Sequence, residues 1–148
     1  MLAAGAAISP VFVAGRTIGP GAPCFVIAEA GVNHNGDIAI AHRLIDAARA
    51  AGADAVKFQT FSADALAIET APKATYQIES TGQGSQREML RVLELTPDDH
   101  RSLLAHCDQA GILFMSSPFD ETSADLLDAL SVAAFKICLL YTSPSPRD

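Results

Sequence analysis

Four short apolar runs, at residues 24–29, 54–59, 112–115 and 132–137, each end in or just before a polar side chain, with helical patterns between them. No hairpin signal joins one run to the next. Strands arranged in this way must be parallel, because a parallel return needs a crossover of a dozen or more residues, usually a helix. The chain is therefore α/β. A barrel and a doubly wound open sheet would both satisfy this order.

The local signals are specific. Cys24 to Glu29 is a compact apolar run, which predicts a strand buried on both faces. Gly31 to Asp37 form a polar loop, and Asp37 can cap a helix in which Ile40, Ala41, Leu44, Ile45 and Ala48 recur at helical spacing until Gly52. Asp54 to Gln59 make the second strand. The stretch from Thr60 to about Gln86, with Gly82 and Gly84 near its end, is too long for an ordinary turn, and such loops tend to be functional. Met89, Leu90, Leu93 and Leu95 predict a helix beyond it. Thr96-Pro97-Asp98-Asp99 starts another with a capping hydroxyl, a first-turn proline and two acids. Leu103, Leu104 and Cys107 form its apolar stripe and Gly111 closes it. Ile112 to Met115 is the third strand, Asp120 opens a helix carrying Leu126, Leu127 and Leu130, and residues 132–137 are the fourth strand. Ahead of all these, Val11 to Ile18 reads as a short strand or hairpin arm ended by Gly19-Pro20-Gly21.

Composition narrows the class of partner. The chain has 148 residues, 49% of them apolar and 18% charged, enough to build a core and too apolar for disorder. No run approaches the roughly 18 apolar residues of a membrane span. The formal net charge is −7 with no basic cluster, so neither nucleic acid nor membrane is an expected partner. An anionic substrate stays open, because a pocket needs only a local surplus of positive charge. Cys24, Cys107 and Cys138 lack metal-type spacing, and an odd count fits a reducing compartment. The start lacks the positive segment of a signal peptide, so the cytoplasm is expected.

The strand ends carry the chemistry. Glu29 ends the first strand, Lys57 and Gln59 the second, Ser116 and Ser117 follow the third, and Lys136 is in the fourth. Ligands of parallel α/β folds sit beyond the carboxyl ends of the strands. Lys57 lies between Val56 and Phe58, and Lys136 between Phe135 and Ile137. A buried ammonium needs an anion or a route to water, so two such lysines with hydroxyls between them point to a bound anion. The alternative for either alone is a lysine that reaches the rim or pairs with Glu29. Ser116 and Ser117 could equally cap the next helix. His34 lies in the first strand-to-helix loop, where a backbone-bonded histidine is at least as good a reading as a ligand. His42, His100 and His106 fall on predicted helices and are expected to face solvent; no pair has metal spacing.

These residues also carry a family likeness. Residues 27–36 (IAEAGVNHNG), 55–60 (AVKFQT), 116–119 (SSPF) and 134–137 (AFKI) resemble, in order and spacing, motifs of the N-acetylneuraminate (sialic acid) synthase family. Residues 71–77 and 85–90 resemble its bacterial branch, which includes synthases of N,N'-diacetyllegionaminate. The likeness spans about residues 11–137. It implies the N-terminal half of a (β/α)8 aldolase-type TIM barrel at residues 21–137, with residues 1–20 as an N-terminal extension. It also implies condensation of phosphoenolpyruvate with N-acetylmannosamine or a related N-acetylhexosamine, giving a nonulosonic acid and phosphate.

Carried over by position, Lys57 and Lys136 hold the phosphate and carboxylate of phosphoenolpyruvate, Ser117 supplies a hydroxyl, and Gln59 and Glu29 face the sugar. Glu29 and Lys57 are the expected catalytic pair. The family's divalent cation, Mn or Mg, belongs to the complete enzyme, and its ligands are not in this chain. A homodimer is expected of the full-length protein. The family pattern after Lys-Ile is replaced by Cys138-Leu139-Leu140. Residues 138–148 are similar to translated adaptor read-through at the end of a truncated frame and are read as a non-native tail. On this reading the chain lacks synthase activity by itself. Another phosphoenolpyruvate-dependent synthase, of the 3-deoxy-octulosonate or heptulosonate phosphate type, and an inactive fragment that binds an anionic metabolite are the alternatives.

Overall fold

The computed structural model describes residues 9–66 and 85–137. Strands β1 (Val11–Val13) and β2 (Arg16–Ile18) pair antiparallel around Ala14 and Gly15, whose φ angles of 48° and 76° suit the twist of a tight hairpin. Arg16 then bonds Asp54 at 2.7 Å, while Asp54 also accepts the Val26 N–H at 2.8 Å. The Val26 N–H first, and the Arg16 cation after it, hold the Asp54 carboxyl below its ordinary range. The hairpin is thereby pinned near the amino end of the sheet.

The sheet itself consists of β3 (Ile27–Gly31), β4 (Ala55–Thr60) and β5 (Leu113–Pro118), all parallel and in the order β3-β4-β5. The predicted fourth strand is reduced to one parallel bridge between Ser116 and Phe135, where the Lys136 N–H donates to the Ser116 carbonyl at 3.0 Å. Among the described residues that segment has a neighbour on one side only. A single row of slanted parallel bonds holds it weakly.

Helices α1 (Ile38–Ala50), α4 (Pro97–Ala110) and α5 (Glu121–Ala129) cover one face of this sheet. Short helices α2 (Ala63–Leu66) and α3 (Gln86–Leu93) lie between β4 and α4 in the chain. Ile45, Leu103, Cys107 and Leu127 pack against Val56, Phe58 and Phe114, all at most 2% exposed. Burial pushes the Cys107 thiol up to about 12, so this cysteine is core and not a nucleophile. Val56 and Phe58 occupy the helix-facing side of β4, and alternation sends Lys57 and Gln59 to the other. Helices on one face, with strands in chain order, describe a singly wound wall. A doubly wound sheet needs both faces covered and a reversal of order, and the described residues show neither.

Single-sided cover also corrects the reading of the first strand. Ile27 is 42% exposed, because it lies on the face of β3 that no described helix covers. The strands run further than predicted, β5 as far as Pro118, so Ser116 and Ser117 belong to the ladder. Asp120, not either serine, caps α5, accepting the Ser123 N–H at 2.7 Å.

The other helix ends follow their signals. Asp37 accepts from Ala39 N and Ile40 N. Thr96 and Asp99 form a reciprocal capping box, Pro97 occupies the first turn, and Gly111 closes α4 at φ 69°. Replacing Thr96 by alanine is expected to cost about 1 kcal/mol, measured as a lower urea midpoint at unchanged slope. The Gly82–Gly84 pair, residues 71–77 and the tail at 138–148 lie outside the described residues.

Candidate functional site

Parallel register brings the predicted residues into rows. Glu29, Lys57 and Met115 are direct partners across β3, β4 and β5, and Gln59 faces Ser117 two residues nearer the carboxyl end. The bridge at Phe135 sets Lys136 level with Ser117, and alternation assigns it to the same face. Five residues named from sequence, Glu29, Lys57, Gln59, Ser117 and Lys136, therefore fall on one side of the sheet, which none of the described helices covers, toward the carboxyl ends of the strands.

Their electrostatics differ from the expectation. Lys57 Nζ donates to Glu29 Oε2, so the burial of this lysine is balanced on its own sheet. Its side chain is 12% exposed and that of Glu29 53%, which places the pair at the water boundary. Lys136 is exposed. Two buried lysines lacking any anion are therefore not what the fold contains, because β3 supplies a carboxylate in register with Lys57. An ammonium has three donors, and the bond to Glu29 uses one.

Gly31 shapes the same corner. The ladder is irregular between Glu29 and Gly31, and Gly31 has φ +54°. A Cβ there would lie 3.4 Å from Glu29 Oε1 and 3.6 Å from Gln59 Nε2. The carboxylate and the carboxamide therefore converge above this glycine, offering an acceptor and a donor side by side.

Ser116, one residue from Ser117, projects into the helix layer instead. Its hydroxyl lies 2.7 Å from Thr60 Oγ1, which lies 2.8 Å from His100 Nε2, and His100 Nδ1 lies 2.9 Å from the Thr96 carbonyl. His100 is 0% exposed, which corrects its expected solvent-facing position. The signal was present: His100 stands three residues before Leu103 and seven before Cys107, on the stripe that enters the core. Burial lowers its pKa, opposed by the Thr96 carbonyl and by Asp99.

The remaining histidines are structural in their contacts. His34 is 0% exposed, and its Nδ1 accepts the Gly36 N–H at 3.0 Å, as a backbone-bonded loop histidine should. Its Nε2 has no partner among the described residues. Burial lowers its pKa, reinforced by His100. His42 and His106 lie half-exposed on the seam between α1 and α4: their rings stack at 4.6 Å, with His42 bonded to Ser102 and His106 to Asp46.

A groove of about 410 Å³ opens beside the start of α4 and of α5, lined in part by Thr60, Phe61, Leu95 and Leu126. It contains none of the five site residues. No three His, Cys, Asp or Glu side chains among the described residues are grouped to hold a metal ion, so these residues do not fit the divalent cation that the resemblance implies. No helix among them is long and apolar enough to cross a membrane.

Comparison with known proteins identifies relatives of this chain. The NeuB family model matches residues 44–141. An N,N'-diacetyllegionaminic acid synthase of Legionella pneumophila is 53% identical over 115 residues, covering 77% of this chain and 32% of the relative. Its counterpart in Campylobacter jejuni is 47% identical over 113 residues, covering 76% and 34%. In structure, the N-acetylneuraminic acid synthetase of Leptospira borgpetersenii superposes with a TM-score of 0.69 at 30% identity, covering 87% of this chain and 41% of that one. The chain thus spans about a third of the length of the curated relatives it matches.

Proposed function

This chain belongs to the NeuB family, and on that premise we propose that it forms part of a synthase that condenses phosphoenolpyruvate with an N-acetylated hexosamine, yielding a nonulosonic acid and phosphate. Its sheet is read as the first staves of a (β/α)8 barrel whose rim holds the site. The observation that carries the reading is the register: Glu29–Lys57 in one row, Gln59–Ser117 in the next, and Lys136 beside Ser117, all on one face.

The chemistry follows from the charges. Phosphoenolpyruvate brings a phosphate and a carboxylate. Lys57 has two donors beyond its bond to Glu29, and Lys136 is exposed and unburdened by burial. With the Ser117 hydroxyl between them, the two ammonium groups hold the anion and stabilise the charge that shifts onto phosphate as the C–O bond breaks. Glu29 and Gln59, converging above Gly31, face the sugar. Glu29 is also placed to take or return a proton while Lys57 orients it.

The test is calorimetric titration of the chain with phosphoenolpyruvate. Wild type is expected to bind and Lys57→Ala to bind at least about tenfold more weakly, because one charge-assisted bond is worth about 1.5–3 kcal/mol. Equal heats for the two proteins would remove the anion site from the account.

A further inference from the structure

The chain of hydrogen bonds behind the site has only one possible direction. The Thr96 carbonyl can only accept, so His100 Nδ1 carries a proton and donates. Burial keeps the ring neutral, which leaves Nε2 as an acceptor for the Thr60 hydroxyl. The Thr60 proton is then committed, so its oxygen accepts from Ser116. Every proton in the series Ser116→Thr60→His100→Thr96 is thereby assigned.

The placement of this series matters more than its strength. Most of the helix-facing layer around it is apolar, including Val56, Phe58, Phe114, Leu103 and Leu127, with the buried ring of His34 beside Phe58. An apolar replacement of the series could stabilise as well, since a satisfied buried network gains little over good packing. What a directed polar series adds is position: hydroxyls held at 2.7 and 2.8 Å fix the height of β5 against β4 and α4. Ser116 is the residue whose carbonyl receives the Lys136 N–H, and its neighbour Ser117 faces Gln59.

We propose that His100 is a positioning residue for the anion site, acting through Thr60 and Ser116 to set where Ser117 and Lys136 meet the ligand. The proposal rests on the reading of that rim as a phosphoenolpyruvate site. His100 itself touches neither ligand nor reacting atoms.

The experiment titrates the 148-residue chain with phosphoenolpyruvate, comparing wild type, His100→Leu, His100→Gln, Thr60→Val and Lys57→Ala well below their melting temperatures. His100→Leu and Thr60→Val, which cut the series, are expected to weaken binding about tenfold. His100→Gln, whose carboxamide oxygen can still accept from Thr60, is expected to stay within about threefold of wild type. Nitrogen-15 spectra should show His100 of the wild type as a neutral ring protonated at Nδ1. Unchanged affinity in Thr60→Val, even with a lower melting temperature, would overturn the proposal. So would equal weakening by His100→Gln and His100→Leu. Should His100→Leu fail to fold, Thr60→Val decides the matter alone. Absence of wild-type binding, or wild-type affinity in Lys57→Ala, would sink the anion site and this proposal with it. Loss in Lys57→Ala alone would reject only the positioning role.

Discussion

Replacing Gly36 by alanine is expected to destabilise the chain by about 2–5 kcal/mol, well above the same change at Gly52. Both glycines are left-handed, at φ +78° and +81°. Both variants should therefore pay the backbone strain of an L-residue there, about 1–2 kcal/mol. They differ in what a Cβ would meet. At Gly52 nothing lies within 4 Å, whereas at Gly36 the Val92 carbonyl oxygen lies 2.2 Å away. That oxygen belongs to α3, and a backbone atom cannot rotate aside as a side chain would. The helix or the loop must shift, and forced overpacking adds roughly 1–3 kcal/mol. The Gly36 N–H also holds His34 Nδ1, so a displaced loop would disturb a buried ring. Urea denaturation of the two variants beside wild type measures the difference. Equal losses would show that α3 yields freely and that only strain counts.

The second large effect is acid destabilisation that begins while the carboxylates are still ionised. His34 and His100 are buried, and burial is the leading cause that lowers both pKa values below the ordinary histidine range. The unfolded chain therefore binds more protons than the folded one once the pH falls below about 6.5. Stability is fully present above that value. It declines as the pH falls below it, and each ring stops contributing to the decline below its own depressed folded value. The limiting slope is about 1.4 kcal/mol per pH unit for each histidine. Melting temperatures taken between pH 7.5 and 5 should fall accordingly, and His100→Gln should remove one proton's share of the slope. A flat profile over that range would mean that the rings accept protons in place.

Much of the outcome was legible from local chemistry. The helix starts at Asp37, Thr96 and Asp120 are visible because a capping group satisfies backbone donors within three residues of itself. The alternation of Lys57 and Gln59 with Val56 and Phe58 is legible for the same reason, since period two is a property of one strand. Less legible was the extent of burial. Residues 24–29 read as doubly buried because an apolar run does not say how many faces will be covered, and here Ile27 is left half-exposed. The fourth strand shrank to a bridge at Phe135 because strand length depends on neighbours. His100 was misplaced because a polar residue on an apolar stripe is ambiguous until its partners are known. Its side-chain partner Thr60 lies 40 residues away, and Thr60 in turn lies 56 residues from Ser116.

By itself, the order of residues determined a parallel α/β chain with polar groups at successive strand ends, because helical crossovers, caps and side-chain alternation are all short-range. Only the tertiary structure decided which charges are matched. It placed Glu29 in register with Lys57 and Gln59 in register with Ser117, and it sent Ser116 to Thr60, which in turn bonds His100. Register between strands depends on how distant segments pack, and electrostatic partnership is a matter of distance in space, which no local pattern encodes.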